Sequence, residues 1–333
     1  MLVLAWLILL AGLATAGGYV LMLPEGYGKT QVVAAFGPDT DAEMLVGEAA
    51  PPSTPPQSPP ALAEELAQEP VASQTEPAGA QPRWQRYSQD FDDSGKRPRI
   101  AIVLTGMGLS SATTEAAINQ LPAAVTLSFT PYSSRLDQWI SLARTNGHEV
   151  MLDLPMEPTS YPDDDPGPQA LLTALSPAQN LERLNWTLGR ASGYVGVATV
   201  MGSRFTTSED ALMPVIEALK EQGLIFLDNR SSQESVAWRL ATKIGAASAV
   251  NDRTLDTAQA SRVAIDARLV QLEGIARAEG FAVAMGRPYP VTIERLREWA
   301  KGLPERGFDL APISAVVDRQ RDYRNTPQST QAK

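Results

Sequence analysis

Arg99-Ile100-Ala101-Ile102-Val103-Leu104-Thr105-Gly106-Met107-Gly108 is the stretch whose reading decides the fold. Five apolar residues in a row, Ile100 to Leu104, end abruptly in a small polar turn containing glycine. An uninterrupted apolar run of that length is what a parallel strand buried on both faces requires, and its C-terminal end delivers the turn to a binding face. The polar helical pattern that follows, from Ser111, starts a strand–helix rhythm that continues to the end of the chain.

Strand-like runs recur at 99–104, 124–129, 149–153, 194–198, 224–228, 246–250, 281–285 and 308–313. Helical patterns lie between them at 111–120, 133–146, 177–190, 208–222, 232–244, 257–279 and 291–303. Start signals support several helices, among them Ser176 before Pro177 and Thr207-Ser208 before Glu209-Asp210. Glycines at 147, 193, 223, 245 and 280 stand where helices would stop. The pattern predicts an α/β protein of about seven β/α units around a parallel sheet, either a barrel or a doubly wound sheet.

Upstream the chemistry changes. Residues 2–23 are almost wholly apolar and long enough to cross a bilayer as a helix. They read as a transmembrane signal anchor over 1–24, with Trp6 and Tyr19 near the interfaces, or as a signal peptide cleaved after Ala14-Thr15-Ala16. Length favours the anchor, and both readings place the rest of the chain in the periplasm or outside the cell. Prolines at 51, 52, 55, 56, 59, 60, 70, 77 and 82, interleaved with Ala, Glu, Gln and Ser, predict a disordered linker over 25–96. A folded domain is expected over 97–318 and a frayed polar tail over 319–333.

The net charge of -10 resides mostly upstream, since residues 25–82 hold nine acids and only Lys29 as a base. The near-neutral remainder lacks the basic footprint of a nucleic-acid binder. There is no cysteine, hence no thiolate chemistry, and His148 is the only histidine. It precedes a strand, which puts it at the end of a barrel opposite to a binding face, in a structural role.

Functional residues of such a sheet gather at the C-terminal strand ends. The candidates there are Thr105, Asp153, Glu157, Ser203, Arg204, Asp228, Arg230 and Arg287. Backbone amides after Gly202 are expected to offer an anion or sugar-hydroxyl site, or else to start a helical turn before Ser208. Asp228 and Arg230 line a groove or pair across the rim. Gly106-Met107-Gly108-Leu109-Ser110-Ser111 approaches a dinucleotide fingerprint but has Ser111 for the third glycine and no acid near position 125. Asp163-Asp164-Asp165 reads as a solvated acidic loop, weak Ca²⁺ binding being its alternative.

In order and spacing, Ile102–Gly108, Gly147–Pro158, Met201–Thr206, Phe226–Arg230 and Gly286–Pro290 resemble the divergent polysaccharide deacetylase family, a branch of the NodB-like carbohydrate esterases. The strings Leu154-Pro155-Met156-Glu157-Pro158 and Met201-Gly202-Ser203-Arg204-Phe205-Thr206 carry the resemblance most specifically. It implies an irregular (β/α)7-type barrel over the whole folded domain and an exported protein acting on envelope polysaccharide, peptidoglycan or another. It also implies a divalent metal site, typically zinc, built from an aspartate and histidines. Family members usually carry Asp-Asp at Thr105-Gly106 and histidine at Asp153, Val200 and Arg287, so only Asp153 keeps ligand capacity. About three protein ligands in fixed geometry are needed to activate a zinc-bound water.

The leading expectation is therefore a membrane-anchored, deacetylase-like domain that binds polysaccharide without a resident metal. Its alternatives are an active deacetylase holding a weakly bound Mg²⁺ or Mn²⁺ on Asp153, Glu157 and Asp228, and, more weakly, a nucleotide-binding enzyme. Asp153 and Arg287 are expected to compensate each other's charge across the mouth. The sequence names no envelope protein partner.

Overall fold

The structure, a computed structural model, describes residues 81–92, 94–256 and 260–325. The apolar run 2–23, nearly all of the expected linker and the last eight residues lie outside the described residues. Among the described residues no helix is long and apolar enough to cross a membrane.

Nine parallel strands form one sheet: β1 (Arg99–Met107), β2 (Thr126–Phe129), β3 (Val150–Met156), β4 (Gly196–Met201), β5 (Ile225–Asp228), β6 (Ser248–Val250), β7 (Arg253–Thr254), β8 (Phe281–Gly286) and β9 (Asp309–Ala311). Their spatial order is β6-β5-β4-β3-β2-β1-β8-β7. β9 pairs with Arg99–Ala101 of β1, below the point where β2 pairs from Val103 onward. The two ends of this order, β6 and β7, are separated in the chain only by Asn251 and Asp252, so the sheet curls until its edges meet there. Asn251 spans the seam: its amide donates to the Asn229 carbonyl beside β5 and its Oδ1 accepts from Met285 N–H in β8. The expectation of an irregular β/α barrel is met, and the short β7, too brief to carry a hydrophobic pattern, is the strand the sequence does not announce.

The helices are α1 (Arg83–Tyr87), α2 (Ser111–Gln120), α3 (Leu136–Thr145), α4 (Pro177–Leu188), α5 (Glu209–Glu221), α6 (Ala237–Ile244), α7 (Arg262–Glu279), α8 (Pro290–Lys301) and α9 (Ser314–Asn325). Their starts follow side-chain chemistry. Ser176 forms a full capping box with Gln179 ahead of Pro177, and Ser110, Ser208 and Ser261 each accept from a backbone N–H three residues on. Gly280 ends α7 at φ +85, a left-handed conformation that glycine reaches without Cβ strain.

Alternation along the strands splits the core in two. Ile100, Ile102, Leu104, Leu127, Phe129, Leu152 and Leu154 pack under helix residues such as Ile118, Trp139 and Leu184. Ala101, Val103, Met151, Ala198, Leu227, Val283 and Met285 face the other way. That inner set is joined by Val316 and Val317 of α9, by Trp84 and Tyr87 of α1 and by Phe91. The N-terminal segment, outside the expected domain, thus helps α9 complete the inner core. Arg83–Tyr87 is helical where a linker is expected, and α9 runs to Asn325 where a frayed tail is expected from Arg319.

Candidate functional site

β3 carries a carboxylate at each end of the inner face. Glu149, at its entry, is fully buried and accepts from Gln89 N–H, Ser314 N–H and the Thr126 hydroxyl, tying N- and C-terminal segments to the sheet. Burial pushes its carboxyl above the usual range. Asp153, four residues on, lies at the mouth. Its Oδ1 accepts from Ser128 Oγ at 2.6 Å and its Oδ2 from Gly106 N–H at 2.8 Å. Removal from water raises its pKa to about 7, against the opposing pull of those two bonds and of the Arg287 charge. Gly106 is at φ +76, a conformation open to glycine that aims its amide inward. Arg287 acts on Asp153 as a neighbouring charge; the two form no ion pair within 4 Å, so the expected direct pairing is replaced by through-space compensation.

The other candidates divide. Thr105 donates its hydroxyl to the Gly286 carbonyl, joining β1 to β8. Glu157 is buried: Oε2 accepts from the backbone and hydroxyl of Thr173, and Oε1 lies 3.4 Å from Arg204 Nη1. Ser203 Oγ accepts from Thr159 N–H. Most amides there are taken internally, Gly202 N–H by the Met156 carbonyl and those of Arg204 and Phe205 by the Glu157 carbonyl. The segment is a 3₁₀ turn, Phe205–Thr207, leading to the Ser208 cap. Asp228 accepts from Ser235 Oγ and from the backbone N–H of Arg230. Val200 is half-buried on β4 and offers no ligand atom.

Asp256 is the residue that sequence reasoning misses. It follows the two-residue β7 and is 8 % exposed, with Oδ2 accepting from Arg287 N–H at 2.7 Å and from Thr292 Oγ1 at 2.8 Å. Its Oδ1 is buried without a hydrogen-bond partner. Burial raises its pKa, opposed by the Arg287 amide and the Thr292 hydroxyl. Ser128 is missed as well, hidden inside an apolar strand. Only the alternation of β2, with Leu127 and Phe129 facing the helices, signals that Ser128 faces inward.

His148 sits at the far end of the barrel, as its position predicts. Both ring nitrogens face backbone carbonyls, Val125 at 2.9 Å and Ile118 at 3.0 Å, leaving neither lone pair for a metal.

The profile of the divergent polysaccharide deacetylase family matches residues 102–317, nearly the whole barrel. The chain belongs to that family. The uncharacterized protein YibQ of Escherichia coli (strain K12) is 26% identical over 230 residues, covering 69% of this chain and 70% of that one. An uncharacterized protein of Haemophilus influenzae is 28% identical over 208 residues, 62% of this chain and 72% of its own. The crystal structure of the uncharacterized protein ATU2773 from Agrobacterium tumefaciens C58 superposes with a TM-score of 0.70 at 33% identity, covering 73% of this chain and 98% of that one.

In this member of the divergent polysaccharide deacetylase family the zinc donor set implied by the resemblance does not fit. Its positions hold a hydroxyl turned to Gly286, a glycine, a carboxylate with both oxygens engaged, a valine and a guanidinium. Among the described residues no three His, Cys, Asp or Glu side chains gather as a metal site would need. Asp163–Asp165 likewise form no such group; Asp164 accepts from Ser160 Oγ and Asp165 from Gly167 N–H.

Proposed function

We propose that this domain is a polysaccharide-binding member of the divergent deacetylase family that works without metal-dependent deacetylation, with peptidoglycan or another envelope glycan as its ligand. The observation that carries the reading is Asp153. Where the family resemblance implies a histidine ligand, this carboxylate is locked by Gly106 N–H and Ser128 O–H instead of being presented to the mouth. A hydrogen-bonded network has taken the place of a coordination shell. The competing carboxylate site is disfavoured because Glu157 and Asp228 are likewise spent on local hydrogen bonds.

The apolar run 2–23 and the acidic, proline-rich stretch after it support a domain tethered to the outer face of the inner membrane and reaching the cell wall in the periplasm. The test uses purified full-length protein. It is expected to co-sediment with isolated peptidoglycan sacculi and to release no acetate from chitotetraose or muropeptides with Zn²⁺, Mg²⁺ or Mn²⁺ added. Acetate release in step with bound metal, or failure to sediment, overturns the proposal.

A further inference from the structure

Several arginines elsewhere in the fold are engaged: Arg239 with Glu209, Arg262 with Glu294, Arg295 with Asp266, Arg306 with Glu273, and Arg190 with the Pro131 carbonyl, whereas half-buried Arg268 on α7 makes neither a hydrogen bond nor an ion pair among the described residues. Two at the mouth also lack such a partner. Arg230, after β5, and Arg287, after β8, are exposed, and among the described residues neither guanidinium makes a hydrogen bond or an ion pair. Their backbones are nonetheless fixed. Arg230 N–H is held by Asp228 Oδ1 at φ +56, a left-handed conformation unusual for a residue with a side chain, and Arg287 N–H is held by Asp256 Oδ2. Asn251 bridges the two strand ends, contacting the residue before Arg230 and the residue two before Arg287.

Asp153 and Asp256 act on Arg287 through space, without an ion pair within 4 Å. Both are buried and turned to internal donors, and burial shifts both toward the neutral form. In the loops that follow β3 and β8, at the same C-terminal side of the sheet, Tyr161 and Tyr289 are 36% and 41% exposed. Exposed rings beside polar groups suit the apolar face of a pyranose, and a guanidinium fork suits a carboxylate or phosphate. A site for neutral sugar alone would gain nothing from two unpaired cations on fixed backbones.

We propose that the mouth takes an acidic saccharide, its sugar ring stacked on the exposed tyrosines and its anionic substituent held by Arg230 and Arg287 on either side of Asn251. The proposal rests on the polysaccharide reading above and names the charge class of the ligand.

The test is calorimetric titration of the full-length protein with four probes: trigalacturonic acid, its methyl ester, glucose 6-phosphate and neutral chitotetraose. Trigalacturonic acid or glucose 6-phosphate is expected to bind, and whichever binds names the anion. That binding should weaken by about tenfold in Arg230→Gln and in Arg287→Gln, as loss of one charge-assisted hydrogen bond predicts. It should also weaken as salt is raised. Arg239→Gln, on the helical surface, should leave it unchanged, and circular dichroism confirms folding of each variant. Equal binding of the ester and the acid, or acid binding indifferent to both arginine changes, overturns the inference. Chitotetraose binding in that case leaves the polysaccharide reading standing, whereas failure of every probe together with loss of sacculus binding overturns both.

Discussion

Asp153 shows how a single carboxylate can be kept buried at the mouth of the barrel at a cost to stability. Its folded pKa of about 7 lies above the ordinary 3.8, so between those values the folded protein holds a proton that the unfolded chain has released. The stability from this group is fully present below about pH 4 and is lost as pH rises through 7, with a slope of about 1.4 kcal/mol per pH unit inside that window. Buried Glu149 and Asp256, also raised, act in the same direction. Asp153→Asn keeps the shape and the acceptor for Gly106 while removing the titration. Thermal melts at pH 5 and pH 8 should therefore differ less in Asp153→Asn than in the wild type, chiefly because the variant is more stable at pH 8. An unchanged difference would place the pH dependence on other groups.

At the scale of elements, close backbone approach fixes what side chains the strands admit. Gly196 opens β4 where it pairs with β5 in register Gly196↔Ile225. A Cβ there would lie 2.2 Å from the Ile225 carbonyl oxygen and 2.7 Å from its Cβ. The first of these is main chain and cannot swing aside, so the strands must part. Gly196→Ala is expected to cost more than about 3 kcal/mol, in the range of severe overpacking. Urea denaturation measures it, and a loss below about 1 kcal/mol would mean that β4 and β5 separate more easily than the pairing implies. The same pairing carries Val200–Met201 and Asp228–Arg230 to the mouth, so its loss should also weaken glycan binding.

Across the whole molecule, the open edge of β6 is closed by a side chain from the far end of the chain. Gln320, fully buried on α9, donates from Nε2 to the Val250 carbonyl and accepts the Val250 N–H on Oε1, copying the hydrogen bonds of a missing strand. Its removal leaves two buried backbone groups unsatisfied, each worth about 1–3 kcal/mol. Gln320→Ala should lower the unfolding free energy by about 2–4 kcal/mol in urea titration, and Gln320→Glu should not restore it, because a carboxylate cannot donate to Val250. Wild-type stability in Gln320→Ala would show that the edge finds another partner.

The sequence by itself determined the layered α/β plan. Apolar runs such as Ile100–Leu104 can be buried only as strands covered on both faces, and helix starts such as Ser176-Pro177 are local chemistry. Residue identity at Thr105, Gly106, Val200 and Arg287 also marks where the chain departs from the ligand pattern that the resemblance implies. Tertiary structure alone decided what the side chains around those positions meet. Asp153 meets Gly106 and Ser128 from two other strands, and Asp256 meets Arg287 and Thr292 across 31 and 36 residues of chain. No local pattern encodes such meetings, because barrel curvature and strand register set them. The same holds for Tyr323 near the end of α9 and for Trp84 and Tyr87 of α1, in stretches polar enough to read as tail and linker, which join the core only once an inner face exists to receive them.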